Sequence, residues 1–94
     1  MLFRKALGYV IAEHRQDKKL TLRQTAKKGS GRISLTYLWE LENGRKEASS
    51  EMLAEVAQCL GISTSDLVIK VGMTMGGGVP NYLPTELDEQ LVNL

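Results

Sequence analysis

The sequence predicts an all-α fold, a bundle of five short helices followed by a tail of different character. Three observations carry this. Apolar residues recur three and four apart in successive short runs through residues 1–70. All but the first run open on a serine or threonine placed to cap a helix. Glycines stand where several runs stop, and the runs follow one another too closely for anything but a compact bundle.

Phe3, Leu7, Val10 and Ile11 fall on one helical face, predicting a first helix over about residues 2–17 that the Asp17-Lys18-Lys19 stretch ends. Thr21 and Gln24 form a capping box, in which the hydroxyl takes an orphan backbone N–H and the amide reaches back. A short second helix, about 22–28, follows and is broken by Gly29-Ser30-Gly31. Ser34 caps a third helix running to about Asn43, with Leu35, Leu38 and Leu41 on adjoining turns and Gly44 as its stop. The fourth begins near Ser49-Ser50, carries Leu53, Val56, Ala57 and Leu60 on one face, and ends at Gly61-Ile62. Ser63 with Asp66 opens a fifth, to roughly Lys70.

The expected domain is residues 1–70, and residues 71–94 form the tail. There Ile69, Val71, Met73 and Met75 alternate with polar or small residues, the pattern of a strand. Gly76-Gly77-Gly78 reads as a joint, and Pro84-Thr85 opens a short last helix with a stripe of Leu83, Leu87, Leu91 and Leu94. Such a stripe is too short to be stable alone in water and needs a partner surface, its own domain or a second chain, so these leucines are the candidate dimerisation residues.

Composition narrows the function classes. The chain has 94 residues, 43% hydrophobic and 24% charged, which is ordinary globular usage. No apolar run approaches the roughly 18 residues of a membrane span, and no signal peptide is expected, so the cytoplasm is the expected compartment and no membrane partner is expected. One cysteine, Cys59, and one histidine, His14, leave no internal disulfide and no cysteine- or two-histidine metal site. No nucleophile–base pair can be assembled and no cofactor motif is present, so neither an enzyme nor a metal or cofactor is expected. Cys59 falls at helical spacing with Met52 and Val56 and reads as buried packing rather than a redox sensor.

Net charge is only +1, yet residues 15–46 hold nine Lys and Arg against three acids, while residues 71–94 hold three acids and no base. A local basic field either solvates a helical face or attracts a polyanion. Two charges stand on apolar faces: Arg15 four residues after Ile11, and Glu42 four after Leu38. They either pair with each other, fixing how the first and third helices dock, or snorkel outward at their helix ends.

The ordered set Leu7-Gly8, Arg15, Leu20-Thr21-Leu22-Arg23-Gln24-x-Ala26, Ile33-Ser34-x-x-Tyr37-Leu38-x-x-Leu41-Glu42-Asn43-Gly44-Arg45, Leu53, Leu60-Gly61-Ile62 and Asp66-Leu67 resembles the Cro/C1-type (XRE) helix-turn-helix DNA-binding family. The resemblance implies a lambda-repressor-like helix-turn-helix fold and a salt bridge between Arg15 and Glu42. Within the family, Lys46-Glu47-Ala48-Ser49-Ser50-Glu51 and the Tyr37-Leu38 stretch look most like actinobacterial regulators of clp protease genes. Two features depart from the family pattern. Seven residues, Lys27 to Ile33, separate Ala26 from Ser34 where five are usual, and Thr25 stands where an aliphatic residue is preferred. The longer turn either lets the third helix pivot or lengthens the second helix.

By this resemblance the third helix, about residues 34–43, enters the major groove of double-stranded DNA. Ser34, Leu35, Thr36, Trp39 and Glu40 are then the candidate base contacts; Arg23, Lys27, Lys28, Arg32, Asn43, Arg45 and Lys46 are the candidate phosphate contacts. Leu35 is equally a core candidate, and Trp39 is either a binding contact or packing against the long turn. The implied function is a sequence-specific transcriptional regulator of bacterial or phage origin, acting as a homodimer. Two alternatives share the fold: the antitoxin of a toxin–antitoxin pair, whose tail would wrap a protein partner, and an interaction module that has lost DNA binding.

Overall fold

A computed structural model of the chain describes residues 1–76, which form α1 (Phe3–Asp17), α2 (Leu22–Lys27), α3 (Leu35–Glu42), α4 (Ser50–Leu60) and α5 (Thr64–Met75). Local chemistry sets most of these limits. At α2 the Thr21 hydroxyl accepts the Gln24 N–H at 3.0 Å, and the Gln24 side-chain oxygen accepts the Thr21 N–H at 2.8 Å. The hydroxyls of Ser34, Ser49 and Ser63 accept the N–H groups of Tyr37, Met52 and Asp66 at 3.0, 3.2 and 3.0 Å, opening α3, α4 and α5.

Three helix ends share one geometry, in which the residue just past the helix turns left-handed and two N–H groups return to the last carbonyls. Gly44 (φ 69°) does this for α3 and Gly61 (φ 74°) for α4. At α1 the position is held by Lys19, with φ 56°, and the N–H groups of Lys19 and Leu20 return to Gln16 and Arg15 at 2.9 and 3.0 Å. Lys18 then reaches across the bundle, donating from Nζ to the Leu60 carbonyl at 2.8 Å and so capping the end of α4.

α1 is the hub, packing on α3, α4 and α5, while α2 lies against α3 and α4. The core gathers Leu7, Val10 and Ile11 from α1, Leu38 and Leu41 from α3, Val56, Ala57, Cys59 and Leu60 from α4, and Leu67 and Val71 from α5. The crossing of α1 over α3 is close enough to require glycine at position 8. A Cβ there would lie 2.4 Å from the Glu42 carbonyl oxygen and 2.7 Å from that of Leu41. Arg15 and Glu42 do pair across the same junction, Nε to Oε2 at 2.9 Å and Nη2 to Oε1 at 2.7 Å, and Arg15 Nη1 also donates to the Leu20 carbonyl at 2.9 Å.

The structure corrects one expectation. Residues 69–75 are not a strand: α5 runs unbroken through Lys70 to Met75, crossing the expected domain boundary at residues 70 and 71. Among the described residues there is no strand to pair with, whereas a helix satisfies its own backbone groups. Leu67 and Val71, four apart, are both fully buried, while Ile69 and Met75 are exposed, so the burial period is helical. Among the described residues no single helix is long and apolar enough to cross a membrane. Of the expected Gly76-Gly77-Gly78 joint, Gly76 closes α5, whereas Gly77, Gly78 and the Leu83, Leu87, Leu91, Leu94 stripe lie outside the described residues.

Candidate nucleic-acid interface

The outward faces of α2 and α3 carry most of the candidate residues. Leu38 and Leu41 point into the core with no exposure, which turns Leu35, Thr36 and Trp39 the other way. On α2, Thr25 and Ala26 are buried, so Arg23 and Lys27 face outward. Thr25 meets the cost of burial by donating its hydroxyl to the Thr21 carbonyl at 2.9 Å, four residues back on its own helix.

The long turn between α2 and α3 is fastened at several points. Gly29 lies against the buried Cys59 thiol, where a Cβ would come within 2.6 Å of the sulfur. The Ser30 hydroxyl hydrogen-bonds the Glu55 carboxylate. Arg32 sits between Glu51 and Glu55 of α4 at 3.8 and 3.6 Å, and Ile33 is buried in the core. The extra residues therefore neither extend α2, which stops at Lys27, nor leave α3 loosely tethered. Cys59 beneath them is buried as expected, and burial together with the Glu55 carboxylate raises its thiol pKa, which keeps it protonated and unreactive.

Two adjoining hollows run along this surface. Leu22, Leu35, Thr36 and Trp39 line an open groove of about 310 Å³. Leu35 is shared with a second hollow of about 250 Å³, bordered by Arg23, Lys27 and Ile33. At the far end of α3, the Arg45 guanidinium lies 5.1 Å from the centre of the Trp39 ring, a cation–π contact that braces an indole left 41% exposed. Asn43 is exposed and donates from Nδ2 to the Trp39 carbonyl at 2.9 Å. Leu35 is thus half-buried and outward at once, and Trp39 packs against Arg45 and the groove.

The other candidates are less uniform. The Ser34 hydroxyl oxygen is engaged as the α3 cap, though its proton remains free to donate. Glu40 is half-buried; burial, with the Glu40 carboxylate adding to it, raises the pKa of the neighbouring Tyr37 phenol. Lys28 and Lys46 are exposed, whereas the charge of Arg32 is already shared with two carboxylates. Sequence reasoning gave Leu22 no site role, and it missed Arg4 altogether. Arg4 donates to the Gly44 carbonyl and to Glu47 at 3.1 and 3.0 Å and so ties the loop after α3 to α1. Nothing local in the sequence marks either role; both depend on which helices meet.

A family model described as helix-turn-helix matches residues 11–67. The chain is 39% identical over 74 residues to the transcriptional regulator ClgR of Mycobacterium tuberculosis, a match covering 79% of this chain and 64% of the relative. It is 37% identical over 76 residues to the HTH-type transcriptional regulator DdrOP3 of Deinococcus deserti, covering 78% of this chain and 57% of that one. The crystal structure of the clp gene regulator ClgR from C. glutamicum superposes with a TM-score of 0.68 at 47% identity, covering 80% of this chain and 95% of the other.

Proposed function

Because this chain belongs to the Cro/C1-type helix-turn-helix family, we propose that it is a sequence-specific DNA-binding transcription regulator of the bacterial cytoplasm, acting as a homodimer. The observation that carries the reading is the surface itself: an uncharged groove on α3 bracketed by Arg23 and Lys27 on one side and Arg45 on the other. A basic rim around a neutral centre suits a duplex, whose phosphates flank the base edges.

In this reading α3 lies in the major groove with Ser34, Leu35, Thr36, Trp39 and Glu40 toward the bases. Arg23, Lys27, Lys28, Asn43, Arg45 and Lys46 hold phosphates and set the register, while Arg32 contributes less because Glu51 and Glu55 already engage it. Self-association is supported by the outer face of α5, where Val68, Ile69 and Met75 are exposed immediately before residues 77–94 with their leucine stripe. Two joined domains bind two half-sites far more tightly than one.

The test is selection of bound duplexes from a random library, followed by fluorescence anisotropy of the winner at two salt concentrations. A clp promoter duplex serves as a defined probe, since the C. glutamicum relative is a clp gene regulator. A palindromic winner is expected, with about five phosphates engaged per subunit and hence a log–log salt slope near −9 for the dimer. Arg45→Ala with Lys46→Ala should weaken binding to every sequence and flatten that slope. No enrichment, or equal binding to scrambled DNA, refutes the reading.

A further inference from the structure

Resting on the DNA-binding reading above, we propose that the groove formed by Leu22, Leu35, Thr36 and Trp39 is a thymine-methyl reader, so that specificity at its contact position is set by the C5-methyl group rather than by base hydrogen bonds.

The chemistry of α3 leads there by elimination. Its sequence, Leu-Thr-Tyr-Leu-Trp-Glu-Leu-Glu, holds no Arg, Lys, Asn or Gln, the residues that make paired hydrogen bonds to guanine or adenine. Glu42 is spent on Arg15, and Tyr37 turns its hydroxyl to the Glu47 carbonyl at 3.3 Å. What α3 presents outward from Leu35 to Trp39 is Leu35, Thr36 and Trp39, joined by Leu22 from α2 into one uncharged concavity, while Glu40 is half-buried and does not line it. Among major-groove base features the thymine methyl is the one projecting apolar group, and an uncharged groove gains by covering it.

Placement supports the same occupant. Arg23 and Lys27 border the adjoining hollow that shares Leu35, and Arg45 lies over the Trp39 ring at the opposite end. Cations at both ends are matched to the phosphates on either side of the major groove, which leaves the base edges over the apolar centre. The groove's volume, about 310 Å³ and open to solvent, is ample for methyls of neighbouring thymines. Its floor is stiff, since α3 is fixed to α1 by the Gly8 contact and the Arg15–Glu42 pair.

The experiment uses the full chain and the duplex won by selection. Each thymine is replaced in turn by deoxyuridine, which removes the methyl and keeps every hydrogen-bonding group. One or two adjacent positions per half-site should lose about fourfold in affinity, and about sixteenfold when both half-sites are changed, the value of one buried methyl each time. At those positions cytosine should bind worse than 5-methylcytosine. Leu35→Ala should abolish the thymine–deoxyuridine difference. Thr36→Ser, an exposed change that leaves the fold alone, should reduce it. A duplex bound with steep salt dependence but indifferent to deoxyuridine at every position overturns the methyl reader and leaves the regulator reading intact. An undiminished deoxyuridine penalty in both variants overturns it as well, and failure to enrich any duplex overturns both readings.

Discussion

Gly8 and Gly72 are both helical glycines, and replacing each with alanine should change stability in opposite directions. In a helix interior, alanine is favoured over glycine by about 1 kcal/mol because it loses less backbone entropy. At Gly72 a Cβ meets nothing within 4 Å, so that preference acts alone. The position is near the end of α5, and Gly72→Ala should stabilise the fold by about 0.5–1 kcal/mol. At Gly8 the same Cβ falls 2.4 Å from the Glu42 carbonyl oxygen, 2.7 Å from that of Leu41 and 2.9 Å from the Glu42 carbonyl carbon. Carbon–oxygen contacts settle near 3.3 Å or more, so α1 and α3 must part by roughly 0.9 Å. The atoms in the way are backbone on a helix pinned by Leu38 and Leu41, and no rotamer change relieves them. Overpacking of this kind costs about 3 kcal/mol, at the upper end of its usual range, leaving a net destabilisation of about 2 kcal/mol for Gly8→Ala. The melting temperature should fall by about 10 °C on the scale of a domain this small. Urea unfolding followed by far-UV circular dichroism measures both variants. A Gly8→Ala variant as stable as the parent would refute the argument, since the close helix crossing could not then exist.

Arg15→Met strands the Glu42 carboxylate, whose side chain is only 12% exposed, and should cost about 2–3 kcal/mol in urea unfolding, somewhat less than for a wholly buried pair. Arg15→Met with Glu42→Leu should recover most of that loss, because no unpaired charge remains. Lys19 holds a left-handed conformation that disfavours a side chain, so Lys19→Gly should raise stability by about 0.5–1 kcal/mol in the same assay. The His14 pKa is lowered from 6.5, first by burial and then by Lys70 and Lys18, against the opposing pull of Glu13 and Asp17. The unfolded chain therefore binds a proton that the folded one resists, and stability should fall as pH drops through 6.5 and level off below the folded pKa. Unfolding curves of the parent and His14→Gln at several pH values should converge in shape above that window and diverge within it.

What the sequence made legible is what short-range chemistry decides. The Thr21–Gln24 box, the serine caps and the Gly44 and Gly61 stops each involve residues within a few positions of one another, and all are present. Two charges on apolar faces left the Arg15–Glu42 pair as one of two readings, and the family resemblance favoured it. The end of α5 was not, because Leu67, Ile69, Val71, Met73 and Met75 fit a strand alternation as well as a helical repeat. The arbiter was the surface of α1, against which α5 packs, and that lies some fifty residues earlier in the chain. The anchoring of the long turn escaped for the same reason, since Glu51, Glu55 and Cys59 all belong to α4. Among the candidate site residues, outward position followed from which neighbours were apolar. The groove did not, because it requires knowing where Leu22 of one helix stands beside Leu35 of another.

The electrostatics of α3 link the framework to the proposed readout. The helix carries two carboxylates and no cation, an unfavourable charge to bring near phosphates. Arg15 changes that balance: its two hydrogen bonds at 2.7 and 2.9 Å neutralise Glu42 from the inner side, without placing a positive group on the outer face. The Arg15 guanidinium pKa is raised chiefly by its hydrogen bond to Glu42, so the pair stays ionised wherever Glu42 is. The outer face is left neutral except for Glu40, and in the proposed function attraction to DNA comes from the rim, from α2 and from the loop after α3. In the proposed reading affinity and selectivity then belong to different atoms, the first salt-sensitive and the second not. Glu42→Gln offers the discriminating case: it loses the charge-assisted pair and some stability. The change leaves Arg15 charged, but on the inner side of α3 and only 18% exposed, so it should leave the salt slope for DNA unchanged. A slope altered by a full unit would mean that the charges of the Arg15–Glu42 pair are felt at the phosphates, and that the pair is not confined to the inner side of α3.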